Sequence, residues 1–205
     1  MDSEQKSALE AIHEKVRRCT LCPLHTGRTK AVPGAGPADA QIMFVGEAPG
    51  FHEDQQGIPF VGAAGNFLNE LLEKVGIDRK TVYITNVIKC RPPGNRDPQV
   101  DEVAACKPYL DRQIEVIRPK IIVTLGRYSM ARAYPDEKIS YVHGQARRVN
   151  GLVYFPMYHP AAALHQPSLK PTVENDFLKL KQLLDGEIKP EDYQAPPEIE
   201  QLSLF

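Results

Sequence analysis

The sequence predicts an α/β protein of three layers, in which helices cover both faces of a central, mainly parallel four-stranded sheet. Three observations lead there: four short runs are rich in β-branched and aromatic residues, the segments between them are mostly helical in character, and 205 residues suffice for one good core. The predicted strands are AQIMFVG (40–46), VYITNVIK (82–89), KIIVTLG (120–126) and LVYFPMY (152–158).

Helical segments alternate with these strands. Residues 63–76 place apolar side chains on one helical face and then reach Gly76, which ends the helix. An opening helix at about 3–18, one after residue 97 and a late one at about 173–185 complete a sheet covered on both sides. We therefore expect one domain over residues 1–185.

Composition narrows the function classes. No apolar run approaches the roughly 20 residues needed to cross a bilayer, and the N-terminus is acidic and polar, so a cytoplasmic protein is expected. With 25 basic and 26 acidic residues the formal charge is −1, and any contact with nucleic acid must come from a local basic patch. Global charge neither suggests DNA nor excludes it.

Polar residues collect where the predicted strands end. The GEAPG segment (46–50) follows the first strand, Asn86 and Cys90 lie at the end of the second, Gly126 follows the third and His159 follows the fourth. Ligands of open α/β sheets bind in the crevice at the carboxyl ends of the strands. Ordinary turns would explain the glycines and prolines here, but not the Glu, Asn and His, so a binding site is predicted at this edge.

The four cysteines form the second candidate site. Cys19 and Cys22 are spaced C-x2-C, whereas Cys90 and Cys106 are far apart in sequence. A chain without a secretory signal is not expected to hold them as disulfides. Zinc ribbons usually offer two close pairs, so the spacing favours an iron–sulfur cluster, with zinc and unrelated buried thiols as open alternatives.

Taken together, these residues carry a family resemblance. GEAPG, GIPFVGAAGNFLNELL, TNVIKCRPP and HPA, in this order and with the four cysteines, resemble a family 4 uracil-DNA glycosylase, the iron–sulfur branch of that superfamily, over about residues 15–185. The resemblance implies a [4Fe–4S] cluster on the cysteines. It also implies base-excision repair, in which uracil is removed from DNA by hydrolysis of its N-glycosidic bond.

Three side chains then receive expected roles. The Asn86 amide is the candidate that distinguishes uracil from cytosine, because these bases exchange donor and acceptor on one edge. Phe60 is expected to stack on the extruded base. His159 is expected to donate a hydrogen bond to uracil O2 as negative charge develops there, which needs no proton transfer.

Carboxylates are expected to complete the pocket. Family 1 relatives use an Asp that corresponds here to Ala48, so Glu47 is the first choice for orienting water and stabilising the sugar cation. Ala48 and Pro49 are expected to contact the base, and Glu53 to border its C5 edge and exclude thymine. Exposed surface acids in FHEDQQG are the alternative reading.

DNA contact needs an apolar wedge and phosphate partners. Leu164 lies in a segment, HPAAALHQPS, that resembles the loop filling the gap left by a flipped base. The expected phosphate contacts are Lys89, Arg91, Arg96, Arg147 and Arg148. A sister branch that crosslinks to DNA carries KRRIH where this chain reads CRPPGNRDP, so we expect turnover rather than a covalent trap.

The C-terminal segment, residues 186–205, is acidic and rich in proline, and we expect a flexible linker. It ends in QLSLF, which resembles the motif that docks repair proteins on the DNA polymerase sliding clamp. Gln201, Leu202, Leu204 and Phe205 would be its anchors. The alternatives for the whole protein are an electron-transfer protein and a non-catalytic nucleic-acid binding module; a monomer is expected.

Overall fold

The computed structural model describes residues 3–192. Its helices are α1 Ser3–Arg17, α2 Phe51–Gln56, α3 Ala63–Lys74, α4 Val100–Ile117, α5 Arg127–Met130, α6 Ile139–Val142, α7 Pro160–His165 and α8 Lys170–Leu184. Its strands are β1 Ile42–Gly46, β2 Tyr83–Asn86, β3 Ile121–Leu125, β4 Arg147–Val149, β5 Leu152–Met157 and β6 Glu191–Asp192.

The strands form one sheet in the order β2-β1-β3-β5-β4-β6. The four predicted strands are β2, β1, β3 and β5, and they pair in parallel. The predicted α/β class with a mainly parallel sheet is confirmed, but the strand count of four was wrong. Two further strands lie at one edge, where β4 runs antiparallel to β5 and β6 pairs with β4.

The additional strand β4 arises from a tight turn. Asn150 and Gly151 connect β4 to β5, and both have positive φ, at 49° and 82°. An Asn-Gly pair with positive φ at both positions is typical of the two-residue hairpin turn. The sequence therefore held a hairpin signal, although the polar residues of β4 do not look like a strand.

Two hydrophobic clusters cover the two faces of the sheet. In β1, Met43 and Val45 belong to the cluster that packs α1 and α4 on one face. Ile42 and Phe44 belong to the cluster that packs α3 and α8 on the other. Alternate residues of a strand point to opposite faces, so a strand buried on both sides reads as a continuous apolar run. This explains the apolar sequence of β1.

The segment after α8 returns to the edge of the sheet. Ile188 packs against the second cluster, and the backbone N–H of Glu191 donates to the carbonyl of Ala146 at 2.9 Å. The rest of the predicted linker and the QLSLF motif lie outside the described residues. Across residues 3–192, the helices are too short or too polar to traverse a bilayer.

Candidate active site

The polar residues that follow the parallel strands surround one pocket of about 390 Å³. It opens at the carboxyl ends of β1, β2 and β5, where an open α/β sheet leaves a crevice. Its volume suits a small ligand. The lining residues are Glu47, Ala48, Pro49, Gly50, Glu53, Phe60, Ala64, Asn86, Pro92, Asn95, Arg96, His159, Ala161 and His165.

Asn86 presents an unsatisfied amide to this pocket. It is the last residue of β2 and is 1% exposed, yet neither Oδ1 nor Nδ2 has a hydrogen-bond partner among residues 3–192. Each buried polar group left unpaired costs about 1–3 kcal/mol. Gly46, opposite Asn86 in the sheet, leaves room for the amide, since a Cβ there would overlap Oδ1. The site holds a donor and an acceptor ready for a ligand.

The backbone of Asn86 is fixed by a buried lysine side chain, whose pKa burial lowers to about 7. Lys89 is 1% exposed, and its Nζ donates to the Asn86 carbonyl at 2.7 Å, to Thr85 Oγ1 at 2.6 Å and to Gln113 Oε1 at 2.8 Å. The expectation that Lys89 contacts phosphate was therefore wrong. The chain after β2 turns inward here, so the side chain of this lysine donates to three neutral acceptors inside the protein.

Phe60 forms the pocket wall in an unusual backbone conformation. Its φ of 54° lies in the left-handed region, which a bulky side chain rarely adopts and which costs about 1–3 kcal/mol. Arg79 Nη2 donates to the carbonyls of Pro59 and Phe60 at 2.9 and 3.1 Å. Glu53 Oε1 accepts from the N–H groups of Val61 and Gly62, both at 2.9 Å. Two charged side chains thus hold the loop around Phe60.

Helix α3 supports the same loop from behind. Gly65 approaches so closely that a Cβ would overlap the carbonyl of Phe60. On the pocket side, a Cβ at Gly46 would lie 2.8 Å from the Phe60 ring. The glycines on both sides let the ring sit between a helix and the end of β1.

His159 faces Phe60 across the pocket wall. The ring centroids are 5.4 Å apart, with 28° between the planes. His159 is the N-cap of α7, and its Nδ1 accepts from the Ala161 N–H at 3.1 Å. Because Nδ1 is the acceptor, the neutral ring carries its proton on Nε2. Burial lowers the pKa of His159 to about 4, against the opposing charge of Glu53.

Two glutamates differ in their surroundings. Glu47 is half-buried, and within residues 3–192 its carboxylate makes no hydrogen bond or ion pair. Burial raises the pKa of Glu47, and Asp97 adds to the rise while Arg127 opposes it. Glu53 lines the pocket but commits Oε1 to the loop that carries Phe60. Glu47 is therefore the carboxylate with both oxygens available to a ligand or water.

Comparison with known proteins decides the family. Residues 33–183 match the family model described as the uracil DNA glycosylase superfamily. The chain belongs to this superfamily. The matched span runs from before β1 into α8 and includes every pocket-lining residue.

Among its relatives are several type-4 uracil-DNA glycosylases. The protein of that name from Sulfurisphaera tokodaii is 50% identical, covering 86% of this chain and 84% of its own. That from Saccharolobus solfataricus is 48% identical, covering 87% of each chain. That from Thermotoga maritima is 42% identical, covering 89% and 98%. The family predicted from the sequence motifs is confirmed.

The four cysteines are free thiols in one neighbourhood. Cys90 and Cys106 are buried, Cys22 packs against the same cluster, and Cys19 is near enough to affect the pKa values of Cys22 and Cys90. Burial raises the pKa of Cys106 to about 11 and also raises those of Cys22 and Cys90.

Each sulfur has a hydrogen-bond donor. The Leu21 N–H lies 3.5 Å from Cys19 Sγ, and Arg28 Nη1 lies 3.1 Å from Cys90 Sγ. Backbone hydrogen bonds from Leu24 and Lys89 reach Cys22 and Cys106 and act to lower their pKa values. Such donors stabilise thiolates on a bound metal group and tune its potential. Over residues 3–192, no three Cys, His, Asp or Glu groups converge on a point suited to one metal ion.

The predicted DNA contacts divide into two groups. Leu164 on α7 is 37% exposed, and Arg91 precedes the pocket residue Pro92. Arg147 and Arg148, by contrast, lie on the edge strand β4. Arg147 pairs with Glu137, and Arg148 lines a groove with Pro119 and Ile121 at the amino end of β3. The structure does not bring these two arginines to the pocket. Strand β4 runs antiparallel to β5 and pairs with the amino-terminal part of that strand, whereas the pocket lies at the carboxyl ends.

Sequence reasoning overlooked part of the pocket. His165 and Asn95 both line it, and Arg96, expected on phosphate, lines it while forming two hydrogen bonds to the buried carboxylate of Glu102. His165 ends the short helix that His159 begins. The two histidines in the segment HPAAALH were the available signal, but helical spacing alone does not reveal which of them reaches a cavity.

Proposed function

We propose that this protein extrudes uracil from DNA into the 390 Å³ pocket and hydrolyses its N-glycosidic bond, leaving an abasic site. One observation carries the assignment of the pocket: the unpartnered Asn86 amide shares it with the Phe60 ring and the His159 imidazole. Membership in the uracil-DNA glycosylase superfamily supports the reaction. The products are free uracil and DNA with an intact backbone.

Recognition of the base is assigned to Asn86. Uracil offers an acceptor at O4 and a donor at N3, which match the Nδ2 and Oδ1 of one amide. Cytosine presents the reverse pattern, so it would leave both amide groups unpaired in a buried site. A penalty of about 1–3 kcal/mol for each group contributes to selectivity. The Lys89 bond to the Asn86 carbonyl keeps the backbone that carries this amide in place.

Phe60 and Glu53 are assigned to the position of the base. An aromatic face supplies about 1–3 kcal/mol of stacking without regard to base identity. Because the Phe60 loop is held by Glu53 and Arg79, the ring is in place before the base arrives. Glu53 would also border the C5 edge, where thymine carries a methyl group, and Ala48 and Pro49 would complete the contact.

His159 is assigned to stabilise the departing uracil. As the glycosidic bond breaks, electrons move to the base and uracil O2 becomes negative. A fixed Nε2–H donor at that oxygen is worth about 10²–10³ in rate, as for other preorganised oxyanion donors. The hydrogen bond from Ala161 to Nδ1 and the pKa of about 4 keep the imidazole neutral and hold the proton on Nε2.

Glu47 is assigned to the sugar side of the reaction. The bond breaks toward an oxocarbenium-like sugar, which a carboxylate stabilises and which water then attacks. Water adds its hydroxyl group to C1′ and releases a proton. The uracil, which leaves as an anion, takes up a proton at N1. Glu47 has free carboxylate oxygens at the pocket. Leu164 would fill the gap in the DNA stack, and Arg91 would contact a phosphate.

A [4Fe–4S] cluster on Cys19, Cys22, Cys90 and Cys106 is part of the proposal. Four thiols with N–H donors in one neighbourhood fit such a group, whose sulfur ligands stand further apart than those of a single ion. A cluster bound there would crosslink the segments that carry the four cysteines. It could also transfer electrons if its redox state changed. The four cysteines would then join the segment after α1, which carries Cys19 and Cys22, to the segment after β2 and to α4.

The remaining proposals concern partners. We infer a monomer that works in the cytoplasm with the DNA, and a tail from residue 186 that tethers it to the sliding clamp through Gln201, Leu202, Leu204 and Phe205. A fluorescent peptide of the last ten residues should bind the cognate clamp saturably. Absence of that binding, together with unchanged clamp capture after deletion of residues 201–205, would refute the tether.

One assay separates the three candidate functions. A uracil-containing oligonucleotide is incubated with the protein and treated with alkali, which cuts the strand at an abasic site. We expect cutting by the native protein, at least 100-fold slower cutting by His159→Ala, and little change in Leu184→Ala, an exposed residue of α8 outside the pocket. Binding without uracil release would indicate a binding module. Redox cycling without either would indicate electron transfer.

A further inference from the structure

An exposed aromatic side chain stands beside the mouth of the pocket. Phe51 is the first residue of α2 and is 52% exposed. It follows Gly50, which lines the pocket. An aromatic face that solvent reaches can stack on a nucleobase. The His52 ring meets it edge-on, with centroids 5.5 Å apart and 80° between planes.

A guanidinium group lies over this ring. The Cζ of Arg91 is 5.2 Å from the centroid of Phe51. Arg91 Nε donates to Asn95 Oδ1 at 2.7 Å, and Asn95 itself lines the pocket. Among residues 3–192, no carboxylate forms an ion pair with Arg91 at 4.0 Å or less. The loop after β2 thus holds a cation against the ring without neutralising it.

We propose that Phe51 and Arg91 form a stacking platform for the nucleotide next to the flipped uracil. Phe51 follows the pocket residue Gly50 and Arg91 bonds to the pocket residue Asn95, so this pair lies where a DNA strand that leaves the pocket on that side would pass. An aromatic ring stacks any base, and the unpaired guanidinium complements the adjacent phosphate. The inference rests on the proposed function and concerns single-stranded DNA, in which the neighbouring base is unpaired.

The chemistry argues for DNA over a protein partner. A protein-docking patch would present several apolar side chains together, with charged groups at its margin. Here one ring stands with one cation, beside a pocket already assigned to a nucleobase. Binding would be tolerant of sequence and sensitive to salt, which are the properties of aromatic and arginine contacts to single strands.

The test uses single strands that contain 2′-fluoro-2′-deoxyuridine, which resists hydrolysis because fluorine destabilises the sugar cation. A 2-aminopurine probe is placed either before or after it. The full-length protein should quench the probe on one side. Phe51→Ala should lose that quenching and bind about 5- to 100-fold more weakly, whereas Phe51→Trp should retain both. Leu184→Ala, an exposed apolar residue on α8, is the matched control.

Two further measurements distinguish an effect on the stacking platform from an effect on the hydrolysis step. On cleavable single strands, Phe51→Ala should raise KM and leave the saturating rate unchanged. Arg91→Met should reduce the slope of log affinity against log salt by about 0.7, whereas Phe51→Ala should not. If the native protein releases no uracil, the proposed function fails. If it releases uracil and Phe51→Ala keeps native KM and quenching, the platform is overturned.

Discussion

The Nζ of Lys89 donates a 2.7 Å hydrogen bond to the main-chain carbonyl of Asn86, whose own amide has no partner in the described structure. A buried lysine, whose pKa burial lowers to about 7, therefore holds the residue whose amide faces the pocket. Lys89 precedes Cys90, and its backbone bonds to the sulfur of Cys106. Lys89 therefore contacts both a residue of the cysteine site and a residue of the pocket.

Replacing Lys89 with Met should keep the shape but remove the bond to Asn86. Burial lowers the pKa of Lys89 to about 7, so the group is charged below that pH. A hydrogen bond from a charged group contributes about 1.5–3 kcal/mol, so at about pH 6 we expect kcat/KM for uracil release to fall about 10- to 100-fold. Thr85→Val removes another acceptor of the same Lys89 Nζ but keeps the Asn86 carbonyl, so its kcat/KM should fall less. Iron content and melting temperature are measured in parallel. Equal losses in both variants would contradict the positioning role.

Truncating Asn86 should separate stability from activity. Asn86→Ala removes two buried polar groups that lack partners, so the free energy of unfolding should stay unchanged or rise. Uracil release should nevertheless fall by at least tenfold. Denaturant unfolding and single-turnover kinetics measure the two effects. A clear loss of stability would show that the amide is satisfied within the free protein.

The acid limb of the pH–rate profile should report Glu47 and not His159, while Lys89, whose pKa burial lowers to about 7, titrates near neutrality. With a pKa of about 4, His159 stays neutral above that pH, so its protonation cannot reduce activity near neutrality. The pKa of Glu47 is raised by burial, so the rate should fall as pH drops through a value above the ordinary one near 4.5. Glu47→Gln should be slower and should lack this acid limb. Single-turnover rates from pH 4.5 to 8 test this, with NMR titration of His159.

Depressed pKa values also affect folding. Unfolded His159 would bind its proton near pH 6.5, whereas the folded ring binds it only near 4, so the unfolded state holds more protons between these values. The contribution of His159 to stability is therefore fully present above about pH 6.5 and is lost as pH falls toward 4. His159→Gln should show a flatter loss of unfolding free energy over this range. An unchanged slope would contradict the assigned burial.

The Phe60 loop should be sensitive to a single methyl group. Gly65→Ala would place a Cβ against the Phe60 carbonyl, so the loop must move and the ring must leave its position. We expect uracil release to fall at least tenfold with a higher KM. Gly27→Ala, where a Cβ meets nothing within 4 Å, is the control. Native kinetics in Gly65→Ala would show that the ring position is not required.

Local patterns in the sequence determined much of this protein. Apolar runs of β-branched residues set the four parallel strands, and glycine and polar residues at their ends marked the pocket edge, because parallel strands present all carboxyl ends together. Asn86, Phe60, Glu47, Glu53 and His159 were each named from the sequence, and the structure places them in one pocket. The family also followed from the motifs.

Only the tertiary structure decided where the long polar side chains go. Lys89 and Arg148 look alike in sequence as surface cations, yet one is buried against the Asn86 carbonyl and the other lies at the amino end of the sheet. The left-handed backbone of Phe60 and the unpaired Asn86 amide were equally invisible, since both depend on residues distant in sequence. Hydrophobic periodicity fixes which face of an element is buried, but the partners of a polar group are set by packing between elements.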